Sequence, residues 1–105
     1  MIRRVYVAGP IAGAHGSDQF LNVKAALDAA AQLMAAGFEP FVPHLSFPLH
    51  MAHPQSYERW MQWDLAWLEK CDAVVRLPGE SKGADREVER AHELGLPVFD
   101  GADAL

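Results

Sequence analysis

The sequence predicts an α/β fold, on three observations. Short β-rich runs alternate with helical patterns along the whole chain. Each run ends at Gly or Pro. Two glycine-rich loops each follow a strand and lead into a helix. Parallel strands need long crossover connections, which helices supply, so this alternation favours a parallel sheet with helices on both faces. For a chain of 105 residues the natural form is a single Rossmann/flavodoxin-like domain over 1–105 with about four parallel strands in the order 2-1-3-4.

Each element has its own signal. IRRVYVA, residues 2–8, reads as the first strand and breaks at Gly9-Pro10. A helix follows from Ser17, a plausible N-cap. Phe20, Val23, Leu27, Ala30, Ala31 and Met34 mark its inward face, and Gly37 stops it. FEPFVP, residues 38–43, is a short second strand bracketed by prolines. HLSFPLHMAHP, residues 44–54, reads as a loop, and Pro54 opens a helix that reaches Lys70. DAVVRLP, 72–78, is the third strand, followed by the GESKG loop and a helix from near Gly83 that Gly95 ends. LPVFD supplies the fourth strand. In the 2-1-3-4 order the topological switch lies between strands one and three, where ligands of open α/β sheets bind. The loops AGPIAGAHGS and LPGESKGA meet there, and both run into helix N-termini, which suits an anion or sugar-phosphate cradle.

Composition narrows the function. Half the residues are apolar and 22% are charged, an ordinary globular balance, and no apolar run approaches the length of a membrane span. A net charge of −5 with no Lys/Arg cluster argues against a nucleic-acid partner. The lone Cys71 and the lack of an apolar signal stretch in MIRRVYVAG lead to an expectation of a cytoplasmic protein. His44, His50 and His53 match no common zinc spacing, and a flexible lid or solvated loop is the expectation for them.

Two carboxylates sit where a helix wheel expects apolar side chains. In the helix after Gly83, Ala84, Val88, Ala91 and Leu94 form the apolar stripe, and Glu87 falls on it, one turn from Ala84 and one from Ala91. In the 55–70 helix, Tyr57, Trp60, Met61, Trp67, Leu68 and Cys71 share a broad face with Asp64 near its centre. A buried carboxylate needs hydrogen-bond or charge partners, or it protonates. Both helices flank strand three, so both groups can point toward its C-terminal end. Bland readings stand beside this one. A first-turn Glu serves free N–H groups, an edge position leaves Asp64 half exposed, Tyr6 is a core aromatic, and Ser81 is a cap or turn residue.

Three segments, VYVAGPIAG (5–13), DLAWLEKCDAVV (64–75) and SKGADREVERA (81–91), together resemble the nucleoside 2-deoxyribosyltransferase superfamily. They are similar to its 2′-deoxynucleoside 5′-phosphate N-hydrolases and to small bacterial and phage relatives. The resemblance implies that Glu87 attacks the anomeric carbon and that a covalent glycosyl-enzyme is resolved by water or a second base. It implies that Asp64 binds the sugar and assists departure of the base, while Tyr6 orients the nucleophile. Ser81 and the amides near Gly83 and Ala84 would hold the 5′ group, and the loop bearing Gly9, Pro10, Ile11 and Gly13 would wrap the nucleotide. Where the hydrolases carry an Arg in that loop this chain has Ala12, and His15, Lys82 and Arg86 are the candidates to replace it. The partner implied is a small-molecule nucleoside or nucleotide, with no metal and no cofactor, in a homodimeric enzyme. The rival is a non-catalytic nucleotide-binding or sensor module using the same pocket. A dinucleotide oxidoreductase is unlike this chain, whose first loop lacks the GxGxxG pattern.

Overall fold

A computed structural model describes residues 1–12 and 16–105. Its elements are β1 (Arg4–Ala8), α1 (Gly16–Ala35), β2 (Glu39–Phe41), a 3-10 turn (Pro43–Ser46), α2 (Phe47–Ala52), α3 (Tyr57–Leu68), β3 (Ala73–Arg76), α4 (Lys82–Glu93), β4 (Val98–Asp100) and a last 3-10 turn (Ala102–Ala104). The four strands are parallel and lie in the order β2-β1-β3-β4. Tyr6 pairs with Phe41 on one side and with Val74 on the other, so β1 and β3 form the buried centre of the sheet. The predicted α/β class and strand order are those of the structure.

Side chains alternate across the sheet, and the two faces are closed by different helices. Val5, Val7 and Val75 face α1 together with Ala26, Ala29, Ala30 and Leu33. Tyr6, Ala8 and Val74 face α3 and α4, through Leu68, Cys71, Ala84 and Ala91. Among the described residues no helix is long and apolar enough to cross a membrane.

Three expectations about elements are corrected. The inward face of α1 is not the one the large side chains mark. Phe20, Leu27 and Met34 are 70%, 41% and 63% exposed, whereas Ala26, Ala29, Ala30 and Leu33 are buried. Of the expected face only Ala30 is buried and Val23 half-buried. The physical reason is proximity. Alanines let the helix backbone approach the sheet, and the bulky residues are left on the outer side. The 44–54 segment is not a plain loop, since it contains the 3-10 turn and α2, which starts at Phe47-Pro48 because proline suits a first helical turn. Pro54 does not open α3. Ser56 caps that helix by accepting from the Arg59 amide at 3.1 Å.

Two stops fall where expected. Gly37 takes φ +92° and Phe38 N–H reaches back to the Leu33 carbonyl at 3.0 Å. Gly95 closes α4 in the same manner, with Leu96 N–H on the Ala91 carbonyl. The phase of α1 is directly testable by urea denaturation. Leu33→Ala is expected to cost about 2–5 kcal/mol as a buried truncation. Met34→Ala, its exposed neighbour, should stay within about 0.5 kcal/mol.

Candidate active site

The site is built at the C-terminal ends of β1 and β3, where the strand order reverses. The loops that leave these strands interlock. A Cβ on Gly9 would come within 3.0 Å of the Leu77 side chain. One on Gly79, which takes φ +114°, would come within 2.9 Å of Pro10. Only glycine permits both the approach and the positive φ. Arg76, at the end of β3, holds the second loop by donating to the Leu77 carbonyl and, at 3.0 Å, to the Gly79 carbonyl. It also pairs with Asp85 in the first turn of α4 at 3.2 Å. Asn22 of α1 holds the first loop, donating to the carbonyls of Ile11 at 3.2 Å and Ala12 at 3.4 Å.

Between these loops and the N-terminal ends of α3 and α4 lies a cavity of about 630 Å³, within the range of small-molecule sites. Gly9, Ile11 and Ala12 form one side. Ser81, Lys82, Gly83, Ala84 and Arg86 form another. Phe47, His50, Tyr57 and Trp60 add aromatic surface, with Tyr57 beneath the Arg86 guanidinium, and Asp64 and Glu87 are in the wall. Both carboxylates are buried, Asp64 at 8% exposure and Glu87 at 4%, as their wheel positions require.

Glu87 accepts a hydrogen bond from the Tyr6 hydroxyl at 2.6 Å, and Tyr6 is itself wholly buried. Burial raises the Glu87 carboxyl from 4.5 to about 8, against the pull of the Tyr6 hydrogen bond and with further lifting by the charge of Asp64. Burial likewise raises Asp64 from 3.8 to about 7. The two side chains interact directly, and their deprotonations belong to the pair. Two adjacent buried charges repel, so the pair gives up its two protons in separate steps and holds one proton in the pH interval between them. Deeper burial draws that proton toward Glu87. Two features draw it toward Asp64: the Tyr6 hydroxyl donates to Glu87, and Asp64 Oδ1 has no partner among the described residues. Burial and the Glu87 charge push the Tyr6 phenol well above its ordinary range, so it remains a donor.

Of the residues singled out in the sequence, Gly9, Ile11, Asp64, Ser81, Gly83, Ala84 and Glu87 share the cavity wall. Tyr6 stands behind Glu87. Pro10 is buried behind the wall, where its carbonyl meets His44 Nε2 at 3.1 Å. Gly13 and His15 lie outside the described residues. The Ser81 hydroxyl is engaged as the N-cap of α4, accepting from the Ala84 amide at 3.1 Å. The expected solvated histidine loop is corrected at His44, which is 1% exposed because it fills the space under Pro10. Burial lowers its pKa. Sequence reasoning did not place Phe47 in the site and read His50 only as part of a lid or solvated loop, whereas both line the cavity. The Phe-Pro pair that opens α2 is the signal that would have brought them to the site. Among the described residues no three His, Cys, Asp or Glu side chains are grouped to hold a metal ion.

The raised carboxyl pKa values fix a sign for stability. Between about pH 4.5 and 8 the folded chain binds more protons at this pair than the unfolded chain, so stability is greatest on the acid side and falls as pH rises toward 8. Glu87→Gln is expected to flatten that decline, measured as the melting temperature across pH 5–8. Ser81→Ala, which removes the cap of α4, is expected to cost about 1 kcal/mol in the same denaturation assay.

Similar proteins were found by fold. The chain resembles a 2-deoxyribosyltransferase from Bacillus psychrosaccharolyticus at 22% identity and a TM-score of 0.63, covering 90% of this chain and 69% of that one. It resembles a CMP N-glycosidase from Clostridium botulinum at 21% identity and 0.60, covering 91% and 66%. A 2-desoxiribosyltransferase from Leishmania mexicana matches at 19% and 0.64, covering 91% and 61%. This chain therefore spans roughly two thirds of the length of these proteins, and what it shares with them at such identity is the fold. No functionally curated protein matches it in sequence. A family model described as a domain of unknown function, DUF7768, matches residues 3–100, and the chain belongs to that family.

Proposed function

We propose that this protein cleaves or exchanges the N-glycosidic bond of a nucleoside or nucleoside 5′-monophosphate through a covalent glycosyl-Glu87 intermediate. The observation that carries the reading is the pair of buried carboxyls in the cavity wall, one of them held by a Tyr hydroxyl at 2.6 Å. The fold shared with a CMP N-glycosidase and two deoxyribosyltransferases supports it.

In the first step a Glu87 carboxylate oxygen attacks the anomeric carbon. The carbon–nitrogen bond breaks, its electron pair leaves with the base, and Asp64 supplies the proton that neutralises the base. Positive charge developing on the sugar favours ionised Glu87, so it drives the shared proton onto Asp64 when Asp64 has to donate it. In the second step Asp64, now a carboxylate, takes a proton from water as the water attacks the glycosyl ester and frees Glu87. In the exchange reaction an incoming base attacks instead. Tyr6 acts as a positioning residue for the nucleophile. The start of α4, with Ser81, Gly83, Ala84 and the neighbouring cations Lys82 and Arg86, receives the 5′ hydroxyl or phosphate. The loop with Gly9 and Ile11 meets the nucleotide from the other side. A cytoplasmic homodimer goes with this reading.

The test is incubation with ribo- and deoxynucleosides and their 5′-monophosphates, with and without an added acceptor base, reading free base by chromatography. Glu87→Ala is expected to lower base release by at least about 10³-fold, since a nucleophile has no substitute. Release only with acceptor marks a transferase. If the wild type binds nucleotides and releases nothing, the cavity belongs to a binding module. Turnover should fall on both sides of the pH interval in which the carboxyl pair holds one proton.

A further inference from the structure

His50 lies in the segment the sequence reads as a flexible lid or solvated loop, and the structure gives it a fixed orientation. Its Nδ1 accepts from the Trp60 indole N–H at 2.6 Å and from the Gln55 backbone N–H at 3.2 Å. The two rings meet edge to face, with centroids 5.7 Å apart. With two donors aimed at Nδ1, the ring carries its proton on Nε2. The polar atom left to the cavity that His50 lines is therefore a hydrogen-bond donor. The ring partner of His50, Trp60, lines the same cavity, to which Phe47 and Tyr57 add flat apolar surface suited to a heteroaromatic ring. Lys82 stands at the start of α4, and Arg86 of the same helix donates to Glu58 at 2.7 Å and lies over the Tyr57 ring, 5.8 Å from its centroid.

We propose that His50 recognises the base of the substrate, its Nε2–H donating to a carbonyl oxygen on the base edge. The inference rests on the N-glycosidic reading of the same cavity and adds to it a specificity-determining residue. Gln55 and Trp60 act through His50 as positioning residues, because they set the tautomer. A base that turns an exocyclic amino group toward His50 opposes donor with donor and is disfavoured.

Two substitutions separate recognition from structure. His50→Asn keeps an acceptor where Nδ1 stood and removes the donor. His50→Gln keeps an N–H near the Nε2 position. Binding is measured by calorimetry in a Glu87→Ala background, so that no ligand is consumed. The ligands are uridine, cytidine, inosine and adenosine 5′-monophosphates, and 2-deoxyribose 5-phosphate as a probe without a base. Wild-type His50 is expected to favour the keto member of at least one keto/amino pair. Asn should weaken that nucleotide about tenfold and erase the preference, while the sugar phosphate binds unchanged; Gln should recover part of the loss. Equal affinities in wild type and Asn overturn the proposal, with the nucleotide reading intact. Equal weakening of nucleotide and sugar phosphate also overturns it, as a structural effect. If no nucleotide binds the wild type at all, the nucleotide reading fails and takes the proposal with it.

Discussion

Tyr6 and Glu87 are 81 positions apart in the chain and joined by one buried hydrogen bond. That bond lies between the central strand and the helix that packs over it. It imposes a condition on both elements, because a carboxyl removed from water must find a partner or hold a proton. The chain meets the condition twice over, with the Tyr6 hydroxyl and with a second carboxyl able to share the proton. Had the position been Leu, the Tyr6 hydroxyl would lose its acceptor and Asp64 would be the one carboxyl left buried beside it. Instead the core on this face borders the cavity, and Ala84 belongs to both.

Around this pair the supporting residues divide their work. Leu77 against Gly9 and Pro10 against Gly79 lock two loops that come from different strands. Arg76 and Asn22 supply donors to carbonyls that no strand satisfies, and His44 does the same for Pro10. These contacts leave little freedom in the side of the cavity that faces the sheet. The aromatic side is built separately. Trp60 packs against Trp63 at 5.2 Å between centroids, Trp63 meets Phe41 edge-on, and Phe41 stacks on Tyr6. The wall that carries His50 is thus continuous in packing with the residue that holds Glu87.

Much of this was legible in the sequence, for identifiable reasons. Strand order followed from chain length and alternation. The burial of Glu87 and Asp64 followed from wheel phase, since a charged side chain on an apolar stripe has nowhere else to go. The inward face of α1 was not legible, because reading by side-chain size favours Phe20, Leu27 and Met34, while the close-packed contact uses Ala26, Ala29 and Ala30. The burial of His44 was not legible either, because its partner is a backbone carbonyl, which leaves no mark in the sequence. The partnership between His50 and Trp60 joins residues on two helices whose approach depends on the turn between them, and composition cannot supply that angle.

The alanine face of α1 has an effect at a distance. Because that contact is made by methyl groups, the helix rides close to the sheet, and its standoff is set by the smallest side chains available. Asn22, one turn before Ala26, reaches from this helix to the carbonyls of Ile11 and Ala12. The height of one wall of the cavity is therefore gauged by alanines that never meet a ligand. A larger residue at Ala26 would lift α1 like a shim and carry the loop outward with it, altering the aperture without touching any group that does chemistry.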